Sequence, residues 1–499
     1  GAGDDAILLD DATTFTGFAQ ILGGTGEDVI TVVRLIDQDR TTDSLLIDGG
    51  AGSDDVFIQT HGSISGIPTD YIIDAFDSGL PGQGADTMVV TGTTEDDNFL
   101  SRAGFVALLH GTDDQIRGID PGRPSTVERI NYNRSMNGRV TLLGLDGDDG
   151  FISDDNAAIM TMDGGVGDDH FQFGQIFGIE PVAGNGNGIA VGDDIDAVLT
   201  TRGWLSNGAS FATVAFGGLG NDSFTVYANR AEVKLEGEAG NDEFIVRAFL
   251  LDDGSSTIQN DTEVLAGDGD ATITYNINAP VNIDGGAGFD TVIVLGTEGD
   301  DHFVVTENGI FGAGLNISIS NTEESIEVDG LEGDDHFYIL STAAGAVTNV
   351  IGGLGSDSFD VTGDVTGRII SADLAGRSGL VNHQVASEDD NYDQTFAAGL
   401  GTTIADPVQG AVIIGQSAST DLTPGKTRVS ELEGQRSDVY TVVLATAPVT
   451  GTVYVTVSAN RSSTDDKAIT VPQMVAGTGL SFTAGGDTLV RDSGSWIDE

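Results

Sequence analysis

The chain contains no cysteine, so disulfides, thiolate metal centres and cysteine nucleophiles are all excluded. Basic residues are scarce: 20 Lys and Arg stand against 79 Asp and Glu, a formal net charge of −59. Nothing basic is present to meet nucleic-acid phosphates, and an anionic membrane surface repels such a chain. No run of about 18 apolar residues occurs, so no membrane span is predicted. Proline is sparse at 10, while glycine reaches 72. With no G-X-Y period, collagen is excluded and many tight turns are implied. Hydrophobic residues make up 39%, enough for a packed core and too many for a disordered acidic tail. At 499 residues the chain exceeds one ordinary core, and several domains or a repeat array are expected. No secretory leader is visible. Gly1 falls inside a repeat and Glu499 inside a module, so the chain reads as a fragment of a longer protein.

One pattern recurs: glycine, glycine or another residue, any, glycine, any, aspartate. It appears as GGTGED at 23–28, GGAGSD at 49–54, GLDGDD at 144–149, GGVGDD at 164–169 and GGLGND at 217–222. It returns as GEAGND at 237–242, GGAGFD at 285–290, GTEGDD at 296–301, GLEGDD at 330–335 and GGLGSD at 352–357. Weaker copies end at Asp5, Asp86 and Asp97, and a degenerate one lies at 267–272. A short run of alternating polarity follows each copy, which reads as a half-buried strand. Two residues after the aspartate stands Phe99, Phe151, Phe171, Phe224, Phe244, Phe303, Phe337 or Phe359. In a stack of like rungs that slot predicts a continuous internal ladder of rings.

The spacings suggest the rung. Asp149 to Asp169 and Asp222 to Asp242 are 20 residues, Asp335 to Asp357 is 22 and Asp5 to Asp28 is 23. These suit one turn of a β-helix, and VERINYN at 127–133 and ESIEVDG at 324–330 read as strands of rungs without the motif. Asp86/Asp97 and Asp290/Asp301 are only 11 apart and are expected at two corners of one turn. Residues 84–99 and 288–303 share nine of 16 positions. The flanking motifs follow the same order, so a unit of about 200 residues is duplicated. Duplication without a unique motif argues for a lengthened rod of about 80 Å.

Glycines permit tight turns that aim carbonyls at a common point, and aspartate adds a carboxylate. Stacked turns can then converge on an all-oxygen shell, which suits Ca²⁺ better than Mg²⁺. The repeated GGxGxD followed by an alternating apolar run resembles the RTX, or haemolysin-type, calcium-binding repeat. The likeness covers residues 1–365 and implies calcium ions held at Asp28, Asp54, Asp86, Asp97, Asp149, Asp169, Asp222, Asp242, Asp290, Asp301, Asp335 and Asp357. It also implies type I secretion, with folding on meeting external calcium. Unlike the family's tandem nine-residue repeats, most copies here are 20 or more residues apart. A larger parallel β-helix with calcium at selected turns is therefore expected.

The motif stops at Asp357, and 366–407 reads as a cap or connector. From 408 to 480 the texture changes: YTVVLATAP and GTVYVTVSA alternate and read as an antiparallel β-sandwich. With VSELEG at 429–434 this part resembles a Calx-β domain, which implies that Glu431 and Glu433 contribute to a calcium site. Residues 481–499 open a further module. His170, His302 and His336, each in DDHF, read as outward strand residues rather than zinc ligands, and Trp204 as a packing or loop residue. LDGDDG at 145–150 lacks EF-hand spacing, and no P-loop, G-x-S-x-G or H-E-x-x-H occurs.

The expectation is thus an all-β chain, a parallel β-helix or β-roll solenoid (super-repeats about 1–204 and 205–365) followed by an antiparallel sandwich. Its expected role is calcium-dependent structure or adhesion at the bacterial surface, without enzymatic activity. Copies of itself, in a filament or surface layer, or surface polysaccharide are the expected partners. The alternatives are an export module of a secreted toxin or hydrolase, or a β-helical polysaccharide-modifying enzyme.

Overall fold

The computed structural model describes most of residues 1–361, apart from 11–17, 37–44, 65–68, 81–82, 111–125, 187, 253–273, 323–324 and 344. Beyond 361 it describes seven strands. Among the described residues every regular element is a strand, and no helix is long and apolar enough to cross a membrane.

Two large sheets contain nearly all strands of the first 361 residues, one of 14 strands and one of 13. The chain alternates between them. Ala19–Thr25 lies in the smaller sheet, Val29–Val33 in the larger, Leu45–Ala51 in the smaller and Asp55–Gln59 in the larger. Successive strands of one sheet pair in parallel and in register, as in Phe151↔Phe171 and Phe171↔Phe224. Side chains that point between the sheets form one hydrophobic cluster running from Ile30 to Phe337. The sheets and this core pass without interruption through the pairing of Met160–Val166 with Thr213–Leu219. Fourteen strands at about 4.8 Å span about 60 Å. That is shorter than residue count suggests, in part because the described residues of 175–206 leave the stack. They build a separate antiparallel sheet from Ile176–Phe177, Ala197–Thr200 and Gly203–Ser206.

The phenylalanine slot is interior in seven of its eight positions. Phe99, Phe151, Phe171, Phe224 and Phe244 stack with centroids 4.8–4.9 Å apart. The ladder is not continuous, however. Phe244 is followed in its sheet by Val292, and a second column of Phe303, Phe337 and Phe359 stands in the other sheet. Phe359 is 46% exposed because Ser358–Val361 is the last strand of its sheet.

The break follows from where the motif sits. Up to Asp86 it occupies corners leading from the 13-stranded to the 14-stranded sheet, here called the near edge. Thr87–Thr91 then crosses to the far edge, where Asp97 and all copies through Asp290 lie. Thr291–Leu295 crosses back, and Asp301, Asp335 and Asp357 return to the near edge. The two 11-residue pairs therefore mark opposite corners of one turn, as their spacing suggested.

After each crossing the chain makes an antiparallel meander inside one sheet. Asn98–Arg102, Phe105–Leu109 and Val127–Asn131 form the first, in the 13-stranded sheet. His302–Thr306, Gly309–Gly312 and Leu315–Ser320 form the second, in the 14-stranded sheet. Each meander puts three strands where an ordinary rung puts one. Because they fall in opposite sheets, the second restores the balance that the first upsets.

Tyr440–Leu444 and Thr452–Val457 are antiparallel strands but do not pair with each other. The first pairs with Val412–Gln416 and the second with Thr478–Thr483, so each hydrogen-bonds a strand distant in sequence. Ser378–Val381 pairs with Leu400–Thr403.

Candidate functional site

The twelve aspartates proposed from the sequence fall into three columns. Asp28, Asp54 and Asp86 form the first, with Asp5 at its start. Asp97, Asp149, Asp169, Asp222, Asp242 and Asp290 form the second, and Asp301, Asp335 and Asp357 the third. Within a column the backbone N–H of each aspartate donates to Oδ1 of the aspartate one rung later, at 2.7–2.8 Å from Asp97 through Asp242. All but Asp357, in the last rung, are buried.

A second file runs outside the far-edge column with opposite polarity. The N–H groups of Asp148, Asp168 and Asn221 donate back to Oδ1 of Asp96, Asp148 and Asp168. The doubled acids therefore divide their work. The inner one is buried beneath the corner, and the outer one, exposed, ties the loop tip to the preceding rung.

The other oxygen of the inner carboxylate is the unusual atom. Oδ2 of Asp28, Asp54, Asp149, Asp169, Asp222, Asp242 and Asp335 is buried with no hydrogen-bond partner among the described residues. The first glycine of the motif explains its position. A Cβ on Gly164 would lie 2.0 Å from Asp169 Oδ2 and 2.8 Å from the Gly217 carbonyl of the next rung. Gly144 shows the same pair, with Asp149 Oδ2 and the Gly164 carbonyl at 2.0 and 2.6 Å. The first glycine is thus required because a carboxylate and a carbonyl converge on the space a side chain would fill. Gly167 is required for a different reason: its φ of 146° is left-handed, and a Cβ there would meet the Gly147 carbonyl at 1.8 Å.

Two buried oxygens of negative character facing one gap are costly unless a proton or a cation lies between them. The carboxyls register that cost. Burial is the largest cause, neighbouring carboxylates add to it, and the backbone N–H opposes both. Asp149 is pushed up to about 9, Asp222 and Asp335 to about 8, Asp169 to about 7, and Asp54 and Asp242 to about 6. The donor set, carboxylate oxygens with backbone carbonyls, suits a hard cation.

Asp97 and Asp301 differ from the rest. Thr93 donates to Asp97 Oδ2 through N–H (2.6 Å) and hydroxyl (3.0 Å), and the Ser63 N–H holds Oδ1. Thr297 treats Asp301 Oδ2 likewise, and Tyr275 Oη–H donates to its Oδ1. Both aspartates head a column just after a crossing, and neither has an oxygen left over. Their copies, GTTEDD and GTEGDD, carry threonine in the second position, which is the sequence signal for this difference.

One acidic cluster was not foreseen. Asp54, Asp77 and Asp86 each bring a carboxylate oxygen within 4.8 Å of the others. Asp77 is not a motif residue. It directly follows the strand Tyr71–Phe76, and its Oδ1 accepts the Gly50 N–H and its Oδ2 the Gly79 N–H. Burial, then Asp77, raises Asp86 to about 8. The only signal in the sequence was the stretched Asp54–Asp86 spacing of 32 residues.

The three DDHF histidines, His170, His302 and His336, are half-buried strand residues: His170 Nδ1 lies 2.8 Å from Ser223 Oγ, and His336 Nε2 3.1 Å from Asp360. Trp204 lies in the small sheet opposite Phe177 and Leu199. Glu431, Glu433 and the degenerate copy at 267–272 lie outside the described residues. The chain matches no protein-family model and no curated protein.

Proposed function

We propose that this chain is a calcium-dependent β-solenoid, continued by a β-sandwich, that serves as a structural or adhesive element outside a bacterial cell. The observation that carries this reading is the buried Oδ2, repeated at seven corners and each time set where the motif's first glycine leaves room. A catalytic acid occurs once in a cleft; a ligand repeated every rung belongs to the scaffold. Calcium accepts six to eight oxygens in flexible geometry, which backbone carbonyls and single carboxylates can supply. Asp97 and Asp301, already held by threonines, act as column ends, and Asp54 with Asp77 and Asp86 forms the site richest in carboxylates.

In calcium-poor cytosol the columns repel themselves and the chain stays expanded and exportable. Outside the cell, calcium at ten times its dissociation constant stabilises each site by about 1.4 kcal/mol. Seven such increments rival the stability of an ordinary domain. Circular dichroism and calorimetry at pH 7.5 test this. EGTA should lower the melting temperature and weaken the β-signal, and calcium, but not equimolar magnesium, should restore both. An unchanged melting temperature after complete chelation overturns the proposal.

A further inference from the structure

A pocket of about 350 Å³ opens beside the near edge and shares no side chain with the aspartate columns. Three pieces of the molecule meet there: the first meander with its turn at Arg102–Phe105, the corner at Asp154–Asp155, and the loop at 192–196 of the segment that leaves the stack. The segment has no role in the winding of the sheets, and this wall is what it adds.

The lining is built rather than incidental. Arg129 forms two hydrogen bonds of 2.8 Å to Asp193 and lies 3.9 Å over the Phe105 ring, which joins the protruding segment to the sheet. Arg102 Nε donates to Oδ2 of Asp154, a fully buried carboxylate, at 2.9 Å. Asp155 accepts the Asn156 N–H and the Asn207 amide. The terminal nitrogens of Arg102 make no hydrogen bond among the described residues, and Asn133 is exposed at the mouth. The chain has only 20 basic residues, yet two arginines converge here in fixed orientations.

The charge balance restricts the ligand. Five aspartates line the pocket against two arginines, and both arginines are paired. An anion is therefore repelled. A ligand whose neighbouring groups both donate and accept can bridge guanidinium, carboxylate and amide without carrying charge, and half-buried Phe76 offers a wall for a C–H face. We propose that the pocket binds a neutral saccharide, one sugar ring seated between Arg102, Asn133 and Phe76. This names a ligand for the adhesive role, and on that role its biological meaning rests; the pocket itself shares no side chain with the calcium sites.

The test is calorimetric titration of the full chain in saturating calcium with maltose, cellobiose, lactose and mannobiose, alongside digalacturonate and a glucosamine dimer. Binding of a neutral disaccharide is expected. Arg102→Lys should weaken it by about tenfold or more, because the planar fork is lost. Gly104→Phe should abolish it: a Cβ at Gly104 meets nothing within 4 Å, so the ring fills the mouth without disturbing the backbone. Both variants should keep the wild-type calcium response, which separates failure of this proposal from failure of the calcium reading. No binding of any neutral disaccharide at roughly 10 mM, preferential binding of the uronate or the amine, or full binding by Gly104→Phe would each overturn it.

Discussion

The near and far edges close the same kind of corner in two ways. Along the far edge from Asp97 to Asp290 the corner is closed by a buried aspartate. Opposite, between the two near-edge aspartate columns, the near-edge corners at Asn137 and Asn156 are closed by asparagine. Asn156 accepts the N–H groups of Ser210 and Phe211 at 2.8 Å and donates to the carbonyls of Ala158 and Phe211. Asn137 continues the first aspartate column itself, accepting the Asp86 N–H and donating to the Gly84 carbonyl. An amide can accept on one side and donate on the other; a carboxylate cannot. The fold therefore has a neutral means of closing a corner and uses it. Where it uses aspartate instead, it leaves an oxygen that only a proton or a cation can satisfy.

Both edges close over the same core, so breaking that core should have the largest single effect. Phe224→Ala removes a fully buried ring between two stacked neighbours and should cost about 3–5 kcal/mol in chemical denaturation, with or without calcium. Next comes the swap at the neutral edge. Asn156→Asp loses three donor contacts, to Ala158, Phe211 and Thr213, and should cost roughly 2–4 kcal/mol in calcium. The reciprocal swap should act in the opposite direction. Asp169→Asn places a donor beside the Gly217 carbonyl and should stabilise the chelated protein at pH 8 by about 1 kcal/mol, while reducing the calcium response.

The same comparison predicts a pH dependence for chelated protein. These carboxyls titrate near 3.8 when unfolded, but Asp169 rises to about 7 and Asp149 to about 9 in the fold. Between those values the folded chain binds more protons, so stability falls as pH rises. The melting temperature in EGTA should be highest near pH 4 and decline up to about pH 9, and calcium should flatten the decline. A chelated melting temperature that rises across this window would contradict the protonation argument. The smallest effect is expected at the end of the stack. Phe359→Ala, at a half-exposed ring, should cost no more than about 1 kcal/mol.

Much of this was legible in the chain. Alternation after each motif predicted strands, and the phenylalanine slot predicted an interior column, because burial on one face of a strand leaves a period of two. The 11-residue pairs predicted opposite corners of one turn. What the repeat could not reveal was which edge each copy occupies. A corner from one sheet to the other is locally the same in either direction, so GGAGSD at 49–54 and GGVGDD at 164–169 look alike. The exchange of edges depends on the number of half-turns between copies, and that depends on residues outside the motif.

The amino-acid sequence by itself determined the all-β character, the repeated glycine–aspartate corner and the residues that would be buried, because each follows from local sterics and polarity. Only the tertiary structure decided that the aspartates stand in three columns on two edges and that Thr93 and Thr297 satisfy the first of two of them. It alone brought Asp77 to Asp54 and Asp86, and Arg102 and Arg129 around Phe105. Apart from Arg102 and Phe105, which share one turn, those meetings join residues 9 to 24 positions apart, and their geometry is set by strand register and by the count of rungs between them, neither of which a local pattern encodes.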